Sequence, residues 1–162
     1  METLILLTLS TSTISAGAMA GVYFAFSGFI MASLDQQGPD RAKETMNTIN
    51  RVILRSWFMP LFFGSTLMNV IILLVAALNS ELPGRGALIA GASIYIIGMF
   101  GCTAVFNVPL NNRLANTAGE SGKSINWSDY CIVWTRWNHL RSVSCVATTV
   151  LGLWYLTQPV QL

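Results

Sequence analysis

Four stretches of this chain carry no Asp, Glu, Lys, Arg or His: between Glu2 and Asp35, between Arg55 and Glu81, between Arg85 and Arg113, and from Arg141 to the end. Each meets or approaches the roughly 20 residues that a helix needs to cross about 30 Å of hydrocarbon. The pattern predicts four membrane spans, near residues 4–33, 57–78, 87–109 and 140–157. The expected fold class is all-α, an integral membrane antiparallel four-helix bundle, with residues 1–162 forming a single membrane domain.

The connections refine this picture. Asp35 to Asp40 supplies turn chemistry, and Pro39-Asp40 can start a short interfacial helix in loop 1 that runs to Arg55 on the membrane surface. Asn79 to Gly84 suits a tight hairpin. Asn116 to Gly122 is polar and expected to be mobile, and Ser124 or Asn126 can cap a helix starting at Trp127 that extends the fourth span at its N-terminal end. Pro109 has no N–H to donate and disfavours the helical region for Val108, which predicts a kink or stop there. Small residues crowd the first span, with Gly17 and Gly21 four apart, then Ala25 and Gly28; they serve close packing, within the chain or in a homodimer.

Composition agrees with a membrane domain: 53% of residues are hydrophobic and only 10% charged, against about a quarter charged in soluble domains. Ala18-Met19-Ala20 has the form of a signal-peptidase site. The segment before it carries Glu2 rather than a basic residue, and the apolar run continues to Leu34, so a retained first helix is expected. Arg41, Lys43, Arg51 and Arg55 precede the second span, Arg113, Lys123, Arg136 and Arg141 flank the fourth, and Arg85 alone falls in the second loop. The positive-inside rule then puts loops 1 and 3 in the cytoplasm of a cell inner (plasma) membrane, with both termini outside. That distribution accounts for the pI of about 8.6 without a nucleic-acid partner. Cys102, Cys131 and Cys145 form no C-x-x-C pair and no metal spacing with the single histidine, so free thiols are expected; a Cys102–Cys145 bridge is the alternative.

Polar residues gather at one depth. Asn107, Asn111 and Asn112 surround Pro109, Asn50 lies where loop 1 returns to the membrane, and the fourth span opens with Trp134-Thr-Arg-Trp-Asn-His-Leu-Arg141. At 100° per residue, Tyr130, Trp134, Trp137, Asn138, Arg141 and Cys145 share one helix face, while Arg136 and His139 point elsewhere. An aromatic belt with snorkelling arginines accounts for Trp127, Arg136, Arg51 and Arg55, and helix capping is an alternative for the asparagines. It does less for Asn138 and Arg141, and intramembrane polar clusters mark functional sites. The cluster predicts a cytoplasmic-side pocket with aromatic walls, suited to a flat, weakly acidic molecule. Arg141 and Asn138 are candidate catalytic groups that stabilise a phenolate or enolate, and His139 has the intrinsic pKa of a proton carrier near neutrality. Asn50, Asn107, Asn111, Trp134 and Trp137 are candidate substrate-binding residues. Phe24, with Tyr23, Phe26 and Phe29, either lines the pocket or packs the helix.

The segments Gly17 to Phe29, Asn47 to Arg51, Phe106 to Arg113 and Trp134 to Arg141 give the chain a resemblance to the anthrone oxygenase-like family of small integral membrane proteins. The resemblance implies oxidation of an anthrone to an anthraquinone with O2 and no metal or organic cofactor. It places Asn107, Trp134, Asn138, His139 and Arg141 at motif positions. Two other classes stay open: a haem or quinone carrier with His139 as axial ligand, and a non-enzymatic small-molecule transporter or partner protein.

Overall fold

In the computed structural model, residues 2–116 and 124–158 are described, and no strand occurs among them. The loop from Thr117 to Lys123, expected to be polar and mobile, lies outside the described residues. Five helices follow one another. Helix α1 is α-helical over Glu2–Ala25, widens to a π turn at Phe26–Ile30 and ends as Met31–Asp35. Gly38, at φ 82°, makes the left-handed turn into α2 (Pro39–Ile53), where Pro39 takes a position at which no intrahelical N–H donor is required. After a turn in which the Ser56 hydroxyl accepts the Phe58 N–H at 3.2 Å, α3 covers Phe58–Leu78.

The hairpin to the next helix turns at Gly84, φ 67°, and Arg85 reaches back with Nε 2.8 Å from the Ala76 carbonyl to close the end of α3. Helix α4 begins as Arg85–Ile94, passes through π-helical segments at Tyr95–Gly101 and Thr103–Asn107, and continues as Val108–Ala115. Pro109 therefore does not stop this helix, so of the kink or stop expected from the sequence the stop does not occur. A π segment bonds each carbonyl five residues on rather than four, so the turn before the proline is already rearranged where a regular α-helix would meet its ring. Helix α5 spans Trp127–Leu156 without interruption, capped by Asn126 Oδ1, which accepts the Asp129 N–H at 2.8 Å.

Thr3–Asp35, Phe58–Leu78 and Arg85–Ala115 are long and apolar enough to cross a membrane. The stretch near 140–157 in α5, expected as a fourth span, is not among them. Its polar residues lower its mean hydropathy, and the fold turns Asn138, Arg141, Ser144 and Thr148 inward while Val143, Val146, Val150 and Leu153 are exposed. Helix α1 packs along α5, α5 also packs on α4, α4 on α3, and α3 back on α1. The amphipathic α2 buries Ala42 and Met46 against Leu34, Leu110, Leu114 and Trp127.

Close helix approach occurs at Gly98 and Gly152 and not at the Gly17/Gly21 pair of the first span. A Cβ on Gly98 would collide with the Ser144 side chain, and one on Gly152 with Thr13. Gly21 meets nothing within 4 Å, and Gly17 only ordinary contact with Thr149. Cys102, Cys131 and Cys145 are free thiols.

Candidate functional site

The inward face of α5 is a ladder of Tyr130, Trp134, Asn138, Arg141 and Cys145, three or four residues apart, all buried. The helical period puts these side chains on one face, and α5 continues through it without a break. Arg141, 5% exposed, lies near the midpoint of the helix rather than at an end. It sits between an apolar cluster around Leu110, Leu114 and Trp127 and another around Met19, Tyr95 and Met99.

The guanidinium has a specific set of neighbours. Nη2 donates to Asn138 Oδ1 at 2.7 Å and Nη1 to Thr103 Oγ1 at 3.4 Å, while Nε has no acceptor. Its carbon lies 4.4 Å from the centre of the Tyr23 ring and 5.0 Å from that of Trp134, a cation–π arrangement on both. The titratable groups that act on it are Tyr23, Cys102, Tyr130 and Cys145, with no carboxylate among them. A dehydrated cation without an opposing carboxylate is costly, so the arrangement leaves a positive group ready for an anion.

Neighbouring amides hold this group in place. Asn138 Nδ2 donates to the Tyr23 carbonyl at 2.6 Å and to the Ser27 hydroxyl, which ties α5 to α1 beside its π turn. Asn107 on α4, 2% exposed, donates to the Trp134 carbonyl at 3.4 Å and accepts from Cys102 Sγ at 3.8 Å. A second amide group lies beyond Trp134. There Asn111 Oδ1 accepts from Tyr130 Oη and Trp134 Nε1, each at 2.9 Å, and Asn111 Nδ2 donates to Asn50 Oδ1 at 3.1 Å. The buried Tyr130 phenol serves as a donor here. Asn50 Nδ2 has no partner.

The fold thus brings together Asn107, Trp134, Asn138 and Arg141, and joins Asn50 and Asn111 to them through Trp134. Trp137 flanks the group, its ring stacked on Phe106. Two candidates lie apart. His139 is exposed, on a different side of α5 from Asn138 and Arg141, as helical geometry predicts. A haem on its imidazole would lie outside the buried layer. Phe24 is 68% exposed, whereas Tyr23 and Phe26 point in, Phe26 against Trp134 at 5.6 Å between ring centres. Among the described residues no group of three or more His, Cys, Asp or Glu is placed to hold a metal ion.

Sequence reasoning missed Thr103 and Ser27, which present hydroxyls to Arg141 and Asn138. It also missed a second polar layer, in which Tyr95 Oη donates to Ser65 Oγ at 2.6 Å and Asn69 Nδ2 to Ser12 Oγ at 2.9 Å. Beside Asn69, Ser12, Thr13 and Thr148 is a cavity of about 20 Å³, enough for one water molecule.

Described residues that are all-helical in their regular structure, with three helices among them apolar enough to cross a bilayer and a guanidinium buried between aromatic rings, define a small helical protein of membrane type with a polar interior site. The profile of the anthrone oxygenase family matches residues 55–151, and the chain belongs to that family. The match takes in Phe106 to Arg113 and Trp134 to Arg141; Gly17 to Phe29 and Asn47 to Arg51 lie outside it. No curated protein and no solved structure matches the chain.

Proposed function

We propose that this protein is a multi-pass inner-membrane oxygenase that converts a flat phenolic, anthrone-like or quinone-like molecule with O2 at the layer formed by Arg141, Asn138 and Asn107. In this reading α1, α3, α4 and α5 form a four-helix bundle in the bilayer, α2 lies at the cytoplasmic interface, and both termini are outside. Helix α5 completes the bundle despite its polar residues because it turns them inward and its valines outward.

The observation that carries the proposal is the unpaired Nε of the buried Arg141. A guanidinium with a donor to spare, walled by Tyr23 and Trp134, suits a planar anion whose oxygen takes the donor while its rings lie along the aromatic walls. For an anthrone, the methylene carbon gives up a proton to water and the resulting enolate is held by Arg141. The anion passes electrons to O2 and a carbon–oxygen bond forms, giving a peroxide. Loss of water, by cleavage of the O–O bond and the remaining C–H bond, leaves the quinone carbonyl. One oxygen atom enters the product and the other leaves as water, so the reaction calls for no further reductant and no metal or organic cofactor.

Asn138 orients Arg141, and Asn107 holds the Trp134 backbone that forms one wall. His139 has no place in this scheme as a contacting group. The test is oxygen uptake by the purified protein in lipid with an anthrone, and its loss in Arg141→Leu. Wild-type protein that consumes no oxygen above a lipid blank sinks the proposal.

A further inference from the structure

The Arg141 layer is covered on one side by an aromatic pair unlike the others in the molecule. Phe106 on α4 and Trp137 on α5 meet with ring centres 3.7 Å apart and planes 5° from parallel. Aromatic side chains favour offset or edge-on arrangements at 4.5–7 Å. The other ring pairs among the described residues lie at 5.2–6.5 Å, consistent with that preference. The pair occupies the outer side of the α4/α5 seam, with Phe106 37% exposed. The next residue on each helix, Asn107 and Asn138, is 2% and 0% exposed, so the amide layer lies directly inside the stacked rings.

The two backbones are not held alike. The Trp137 backbone accepts a hydrogen bond from Cys102 Sγ at 3.5 Å. Phe106 is exposed and belongs to the π-helical Thr103–Asn107, a backbone form often found at functional sites. We infer that the Phe106–Trp137 pair is a lateral port and clamp, through which a planar aromatic ligand passes from the bilayer by sliding between the rings. Admitting a ring takes a separation of about 7 Å, two stacking distances, which a rotamer change of Phe106 supplies. The ligand then exchanges one ring–ring face for two, and its leading edge meets Asn107, Asn138 and Arg141.

The inference rests on the oxygenase reading for the fate of the ligand, but the port itself requires only a flat ring. Two probes separate them: 9,10-anthraquinone, and pyrene, which has no oxygen. Both are titrated into the full-length protein in lipid nanodiscs, following saturable tryptophan quenching. Phe106→Leu and Trp137→Leu are expected to weaken binding of both probes about tenfold, the loss of one stacked face. Trp137→Phe keeps a ring and is expected to restore binding to within about threefold. The exposed Trp57→Phe leaves it unchanged. Arg141→Leu weakens anthraquinone alone. Leucine variants that bind both probes as the wild type does, or a wild type that binds neither, overturn the port. A wild type that binds both through the seam yet consumes no oxygen with an anthrone sinks only the oxygenase reading.

Discussion

Arg141 combines burial, two aromatic faces and an unpaired Nε, and its substitutions separate charge from shape. Arg141→Leu removes a dehydrated cation and is expected to leave thermal stability unchanged or raised, while oxygen uptake with an anthrone falls by about 100-fold or more. Arg141→Lys keeps the charge but not the planar fork that lies on Tyr23 and meets Asn138, and is expected to recover little of the activity. A marked drop in melting temperature for Arg141→Leu would show that the group serves stability instead. Asn138→Ala removes the acceptor of Nη2 and leaves a buried donor without a partner, at a cost of about 1–3 kcal/mol of stability measured by unfolding in detergent. At this scale the sequence was readable where periodicity acts: the 100° repeat put Trp134, Asn138 and Arg141 together and His139 apart. It was unreadable at Thr103 and Ser27, because a hydroxyl in an apolar helix usually bonds its own backbone. Thr8, Thr11, Thr13 and Ser33 each donate to the carbonyl four residues back. Thr103 does so too, to Met99, and its acceptance of Arg141 depends on a helix that sequence spacing does not locate.

The helices show where local signals lead and where packing overrides them. Gly38, Pro39, Gly84 and Asn126 are turn and cap signals, and each acts where the sequence put it, because it answers to the backbone of its own turn. Pro109 and the glycines answer to neighbours. The π segments of α4 carry the helix past Pro109, and Gly98 rather than Gly21 lets two helices close, because Ser144 of α5 lies opposite it. Gly98→Ala is therefore expected to lower stability by about 1–3 kcal/mol through overpacking. Gly98→Ala with Ser144→Gly is expected to recover most of that, a coupling read from a double-mutant cycle of unfolding midpoints. Gly21→Ala, with open space beside it, is expected to be neutral or slightly stabilising. Equal effects of Gly98→Ala and Gly21→Ala would contradict this packing.

For the molecule as a whole, the proposed orientation can be checked by accessibility. With the three native thiols replaced by serine, a single cysteine at Ser80 is expected to react with an impermeant maleimide in intact cells, and one at Thr45 only after permeabilisation; the reverse pattern would invert the topology. His139→Ala is expected to retain anthrone turnover, since its imidazole is exposed and apart from Arg141; loss of turnover would bring it back as a proton carrier. By itself the sequence determined that the chain is helical and where its polar residues interrupt apolar runs, because an ionisable group in hydrocarbon is costly enough to leave a visible mark on composition. The family, too, was legible in short motifs. Tertiary structure alone decided that α5 hides its polar face while its apolar side points out, that Tyr23, Trp134, Asn138 and Thr103 surround a guanidinium with a free donor, and that Phe106 closes on Trp137. Those outcomes depend on which helices touch and at what height. In a chain whose spans are apolar on nearly every side, that choice is made by close packing between helices and not by the order of residues along any one of them.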